Sequence, residues 1–303
     1  MTRWQASFIF TIGAGLFGFT PIFVKLHLAA GYTLSKLIVS QMIIAATILW
    51  LIACFKKKKL RLTRKTILSL MLAGTLNGIT GIFYYNSMKY VPASVAIVLL
   101  FQFVWVGVLY EWILDKRRPT LPTYVTVVLT LIGVLFAANI FTDDFSNLPF
   151  LGILFGLISA FTYAGFIFVS GRVATQTDPL LRAPLMITGS LILVLIVFRP
   201  AFLFTDEVFH SFWLYGLGGA LFGAVFPPLC FSISAPHLPS SLATILGSVE
   251  LPVAVVAASI ILSEQVTVLQ WFGIVLILFA ISFNEIRSGI LHLIDKKKSN
   301  VTE

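Results

Sequence analysis

Charge is what this chain has least of. Only 11% of its 303 residues are Asp, Glu, Lys or Arg, against roughly 25% in soluble domains, and the intervals between apolar runs are too short to build a separate aqueous domain. Cysteine is almost missing: Cys54 and Cys230 lie far apart, both in apolar segments and without metal-ligand neighbours. That excludes a disulfide framework and implies no metal site. The four histidines, His27, His210, His237 and His292, sit near segment ends or tails, with no Ser, Cys or carboxylate at catalytic spacing. HExxH, GxSxG and the P-loop are absent as well, so an intramembrane enzyme is the least favoured class and no cofactor is implied.

Apolar residues fill the chain instead, at 58% with a mean hydropathy of +0.99. Stretches of about the 20 residues needed to cross a bilayer fall at 5–26, 34–55, 67–88, 92–114, 121–141, 149–171, 180–199, 211–234, 239–262 and 266–286. The sequence therefore predicts an all-α polytopic membrane protein with ten transmembrane helices. Arg3 ahead of the first run and LHLAAG after it have the outline of a signal peptide. Removing that run would break the repeat described below, so it is expected to stay.

The lysines and arginines give an orientation. With the N-terminus in the cytoplasm, Arg3, FKKKKLRLTRK (55–65), DKRR (115–118), Arg172, Arg182, Arg287 and KKK (296–298) lie inside, which is 17 of the 21 basic residues. Lys25, Lys36, Lys89 and Arg199 lie at outer ends, and the pairs Asp143–Asp144 and Asp206–Glu207 fall outside. Both termini are thus expected in the cytoplasm, and the net charge of +9 is a topology signal rather than a nucleic-acid footprint.

A shift of 147 residues lays 83–136 over 230–283 without a gap: Pro92 meets Pro239, Ser94 meets Ser241, Leu99 meets Leu246 and Thr120 meets Thr267. The same shift sets Gly18, Phe19 and Lys25 on Gly165, Phe166 and Arg172. Residues 1–141 and 142–287 are expected to be two five-helix repeats, followed by a basic cytoplasmic tail at 288–303. Five is odd, so the second copy enters the membrane from the opposite side, and inverted repeats suit alternating access. Lys25 and Arg172 are then matched entrance charges for a carboxylate or another anionic group; snorkelling to lipid headgroups is the alternative.

GFTPIFVK (18–25), YVPASVAIVLL (90–100) and LPSSLATILGSVELPVAVVAASIILSEQVTVLQWFGIVLIL (238–278) resemble the EamA-type branch of the drug/metabolite transporter superfamily. That resemblance implies a bacterial inner-membrane carrier whose central cavity is lined by helices 1 to 4 and 6 to 9, with helices 5 and 10 peripheral. It also implies export of small metabolites, often amino acids, without ATP hydrolysis.

Matched irregularities locate a binding region. Thr80 and Gly81 fall on Pro227 and Pro228 under the shift; the prolines free the carbonyls of Gly223 and Ala224, and glycine loosens the other copy. Both helices are expected to bend at similar depth, either to line a cavity or to allow close packing through small residues. Asn77, Gly81 and Tyr84 share one face of their helix, as do Gln102 and Trp105 on theirs. Asn77 and Gln102 suit a polar substrate group, Tyr84 and Trp105 an apolar one; the tyrosine is equally suited to the membrane interface.

Glu250 is an ionisable residue inside the apolar run ATILGSVELPVAVVAASIIL, two residues before Pro252. Its helical neighbours Ala243, Gly247, Ala254 and Ala257 form a small-residue face, which turns it inward. Desolvation penalises an isolated carboxylate there, so it takes up and releases a proton as access alternates, or else serves as a hydrogen-bonded fixture. Pro252 leaves the Ser248 carbonyl without its usual donor. Glu111 lies close to Asp115, where solvation or pairing with Arg117 or Arg118 is expected. The expected function is a secondary active exporter of small amphipathic metabolites, proton-coupled through Glu250. An uncoupled exchanger or a channel is the alternative, although no charge ring or filter repeat is visible. The partners implied are a small-molecule substrate, membrane lipid and protons, without nucleic acid; a homodimer is left open.

Overall fold

The computed structural model describes residues 1–55, 62–142, 148–209 and 211–299. The lysine cluster at 56–59, the Asp143–Asp144 pair and His210 lie outside the described residues, as do the side chains of Arg287, His292 and Lys296 to Lys298. Among the described residues eight helices are long and apolar enough to cross a membrane. They are α1 (Arg3–Ala29), α2 (Leu34–Phe55), α3 (Arg64–Ser87), α4 (Ala93–Leu114), α6 (Phe150–Ser170), α7 (Pro179–Phe198), α8 (Phe212–His237) and α9 (Ser240–Leu262). Two more carry shorter apolar stretches: α5 (Leu121–Ala137) and the first part of α10 (Val268–Ser299). Local signals set several starts. The Thr2 hydroxyl and the Gln5 side chain cap each other's backbone at the head of α1, and Asp178 ahead of Pro179 caps α7.

Packing follows the repeat. α1 lies against α8 and α9, α6 against α3 and α4; α3 also meets α7, and α8 meets α2. The pairs α2 with α7, α4 with α9 and α5 with α10, also in contact, map onto themselves when each helix is exchanged for the one five along. Large apolar side chains such as Phe8, Ile196 and Val268 point outward at 68%, 66% and 86% exposure, as a lipid-facing surface requires. Inside, Phe10 stacks on Phe231 with ring centroids 4.2 Å apart, and Phe103 and Phe166 are fully covered.

Hydrocarbon gives helices little hydrophobic reason to associate, so close backbone approach carries the packing. The α3–α7 seam is the tightest example: a Cβ at Gly74 would overlap the backbone of Met186, and one at Gly189 that of Met71. The Ser190 hydroxyl donates to the Gly74 carbonyl at 2.6 Å across the same seam. Gly81 is different, because a Cβ built there meets nothing within 4 Å. It is an open position on the bundle, not a packing one.

Helix interruptions depart from expectation in an informative way. α3 runs unbroken through Gly81, a correction: one glycine costs a helix only about 1 kcal/mol, and packing along α6 and α7 outweighs that. Its counterpart α8 does deform, with a π-helical stretch at Ala220–Val225 just before Pro227 and Pro228. In α9 the interruption falls at Ser248 and Val249, one turn before Pro252, which sits in the first turn of the resumed helix. There the Ser248 carbonyl accepts from Leu251 at 3.3 Å. α4 is interrupted at Phe101 and Gln102, the positions that the 147-residue shift lays on Ser248 and Val249. α1 breaks at Gly18 and Phe19.

Gly189→Val should therefore cost about 2–3 kcal/mol through overpacking, whereas Gly81→Ala should be neutral or stabilising by about 0.5–1 kcal/mol. Thermal unfolding midpoints of the two variants in detergent, compared with the parent, check both signs.

Candidate functional site

Glu250 starts the second half of α9, where the chain resumes its helix after the interruption. Leu251 and Pro252 beside it are buried, but Glu250 keeps part of its surface accessible. The Tyr163 hydroxyl of α6 donates to Glu250 Oε2 at 3.1 Å. Tyr163 is itself held edge-on by Phe103 of α4 at 4.7 Å and Phe17 of α1 at 5.9 Å. Three helices, α1, α4 and α6, thus send an aromatic ring toward the neighbourhood of one carboxyl group. Tyr84 of α3 packs against its neighbour Tyr85, with ring centroids 5.5 Å apart. An apolar wall with hydroxyl tips suits a small solute that has both polar and hydrocarbon parts.

Gly18 explains how α1 comes so close. A Cβ there would lie 2.6 Å from the Glu250 carbonyl oxygen and 2.9 Å from the Ala254 amide nitrogen. Both helices are interrupted at this crossing, α1 at Gly18 and α9 two residues before Glu250. Backbone groups released by the two breaks therefore face protein rather than lipid.

The other expected residues lie in different surroundings. Gln102 spans the interruption of α4: its amide donates to the Val98 carbonyl at 3.0 Å and accepts from the Trp105 indole at 2.9 Å. Trp105 packs edge-on against Phe161 of α6, 5.8 Å away. Both polar ends of Gln102 are thus engaged within its own helix. Asn77 is buried on α3, one turn before Thr80, whose hydroxyl meets that of Thr162 on α6 at 2.9 Å. Lys25 and Arg172 are not free charges in this conformation. Lys25 binds Glu264 at 2.6 Å, and Arg172 binds Asp115.

Glu111 corrects its expectation. It is 8% exposed, and its Oε2 accepts from the Ser241 amide at 2.7 Å, so it caps the exposed amides that open α9. Tyr163 was missed by sequence reasoning; its only signal was a polar Thr162–Tyr163 pair in the middle of an apolar run, two residues before the matched Gly165. Glu250 is in the wall of neither of two clefts. One is an apolar groove of about 340 Å³ walled by Phe19, Pro252, Val256 and Ile274; the other, of about 550 Å³, is polar and walled by Asp115, Arg117, Arg172 and His237.

Comparison with known proteins decides the class. Residues 5–139 and again residues 150–285 match the EamA-like transporter family. The chain belongs to that family. It is a multi-pass membrane transporter, and the doubled match covers both copies of the internal repeat. The threonine/homoserine exporter RhtA of Salmonella typhimurium is 29% identical over 80% of this chain and 79% of its own. The protein of the same name from Escherichia coli is 28% identical over 77% and 76%. An uncharacterized transporter of Synechocystis is 27% identical over 72% and 67%. A solved crystal structure that covers 92% of this chain and 97% of its own superposes with a TM-score of 0.77 at 14% identity, which establishes a shared fold.

Tyr163→Phe keeps the ring and removes only the hydroxyl. A hydrogen bond contributes about 0.5–1.5 kcal/mol net, so transport should slow about two- to tenfold and the unfolding midpoint should fall by no more than a few degrees. Initial efflux rates and thermal melts of the same preparation check this.

Proposed function

We propose that the protein is a secondary active exporter of small amphipathic amino acids of the threonine and homoserine type, and that Glu250 carries the coupled proton. The observation that carries this proposal is the placement of Glu250 against Tyr163 at the interruption of α9, with α4 interrupted at the matching position. A small hydroxylated amino acid has the mixed polarity of that surround, and the exporters from Salmonella and Escherichia coli are 29% and 28% identical over the aligned residues.

Ten spans in two inverted five-helix halves form the frame, residues 1–141 and 142–287, in the bacterial inner membrane with both termini cytoplasmic. Contacts at the two ends of α9 support the inversion. The stretch just after α6 reaches the start of α9, where Arg172 bonds Ser240, while the last part of α1 reaches its far end, where Lys25 bonds Glu264. α1 and α6 therefore run in opposite senses, as alternating access between equivalent halves needs. Proton exchange at Glu250 then follows a change of surroundings: contact with water favours the ionised form, and closure of apolar surfaces such as Phe103 around it favours the neutral one.

In proteoliposomes with an imposed pH gradient, the parent protein should accumulate radiolabelled threonine. Glu250→Gln should abolish that accumulation while leaving exchange across equal pH. Gradient-driven accumulation that survives in a folded Glu250→Gln variant rules out the proton role, and no threonine flux above empty liposomes rules out the cargo. An uncoupled exchanger is the second proposal, favoured by the fixed Tyr163 bond, and it predicts exchange without accumulation in the parent itself.

A further inference from the structure

The two ion pairs that hold Lys25 and Arg172 are related by the repeat although their acids are not. Under the 147-residue shift Lys25 falls on Arg172, but Asp115 falls on Leu262 and Glu264 on Arg117. The geometry is nevertheless the same in both halves. A cation on or just past the end of α1 or α6 reaches an acid just past the end of α9 or α4. The pairs sit at opposite ends of α9: Arg172 also bonds Ser240 at its first residue, and Glu264 follows its last turn. Twenty-three helical residues separate those ends, about 34 Å at 1.5 Å per residue.

We propose that Lys25–Glu264 and Arg172–Asp115 are alternating ionic latches, one at each end of the transport path, and that Asp115 and Glu264 are therefore positioning residues for the transport cycle. Each latch ties a first helix of one half to the interrupted helix of the other half, α1 to α9 and α6 to α4. Those are the pairs that must separate for one end to open. Both are made in this structure, which accordingly has its two ends held together around Glu250.

The latches differ in strength. Lys25 and Glu264 side chains are 52% and 45% exposed and bond only through the ammonium group, at 2.6 and 2.9 Å. Water and salt screen such a pair. Arg172 and Asp115 are 32% and 24% exposed. The guanidinium engages both carboxylate oxygens and the Ser240 hydroxyl at 2.6 Å, and lies 3.7 Å over the Phe168 ring. The end bearing Arg172 is the more firmly closed, so the resting protein opens more readily at the Lys25 end.

This inference rests on the alternating-access proposal above, and hydrogen exchange read by mass spectrometry separates the two. Full-length protein in lipid nanodiscs is compared with Glu264→Gln, Asp115→Asn and the charge swap Lys25→Glu with Glu264→Lys. Glu264→Gln should raise exchange about two- to fivefold at 20–29 and 255–264 and lower it at 103–115 and 163–172, the scale of one exposed ion pair. Asp115→Asn should do the reverse, and the charge swap should return both ends toward the parent. Local fraying would raise exchange at the mutated end alone; that result, or no change at either end, overturns the latches. Counterflow of threonine by parent proteoliposomes tests the carrier proposal independently, so a working carrier with non-reciprocal variants sinks the latches only.

Discussion

A backbone amide or carbonyl inside a bilayer has no water to turn to, and the arrangement of this protein follows from that constraint. Each interrupted helix lies where another helix can cover the released groups. The break in α1 at Gly18 faces the break in α9 before Glu250, close enough that no Cβ fits between them. The break in α4 is spanned by Gln102, which answers both the Val98 carbonyl and the Trp105 indole. Glu111 supplies an acceptor to the amides that open α9. Gln102 and Glu111 both serve backbone groups, whereas the bond of Glu250 is to another side chain.

Much of the fold was legible in the sequence because membrane crossing is written as length and hydropathy. The predicted run at 34–55 coincides with α2, and 239–262 differs from α9 by one residue. The repeat was equally legible, since Pro92 and Pro239 both immediately precede helix starts. The position of the breaks was harder to see. Pro227 and Pro228 marked a deformed helix, as proline must, but Gly81 did not, because glycine only weakens a helix and neighbours decide the outcome. Gln102 looked like a cavity residue from its face and depth. Nothing in the spacing of residues revealed that its amide is consumed by its own helix. Tyr163 and the pairing of Asp115 and Glu264 with Arg172 and Lys25 escaped notice for a related reason: contacts between segments of unlike register leave no trace in a single shift.

The repeat sets up two equivalent ends, and departures from it make the ends inequivalent. Phe103 occupies the place of Glu250 in the first half, and Trp105 that of Pro252. The two halves therefore meet as an aromatic ring on one side and a carboxyl group on the other, with Tyr163 touching both. That tyrosine is where the framework and the chemistry join, because its ring packs against α4 while its hydroxyl binds α9. A relative movement of these two helices cannot leave both contacts intact.

This makes the single carboxyl group a consequence of the geometry rather than an accident of composition. A second acid at the position of Phe103 would place two like charges around one tyrosine, and each would resist the burial of the other. An aromatic ring there instead lowers the polarity on one side and leaves Tyr163 as the hydroxyl donor to Glu250. The proton exchange proposed at Glu250 would then change the strength of the bond that Tyr163 makes, since a carboxylate accepts more strongly than a neutral acid. In the proposed cycle the movement of α4 relative to α9 and the protonation of Glu250 would therefore be coupled through one residue of α6, without any path of residues between distant sites.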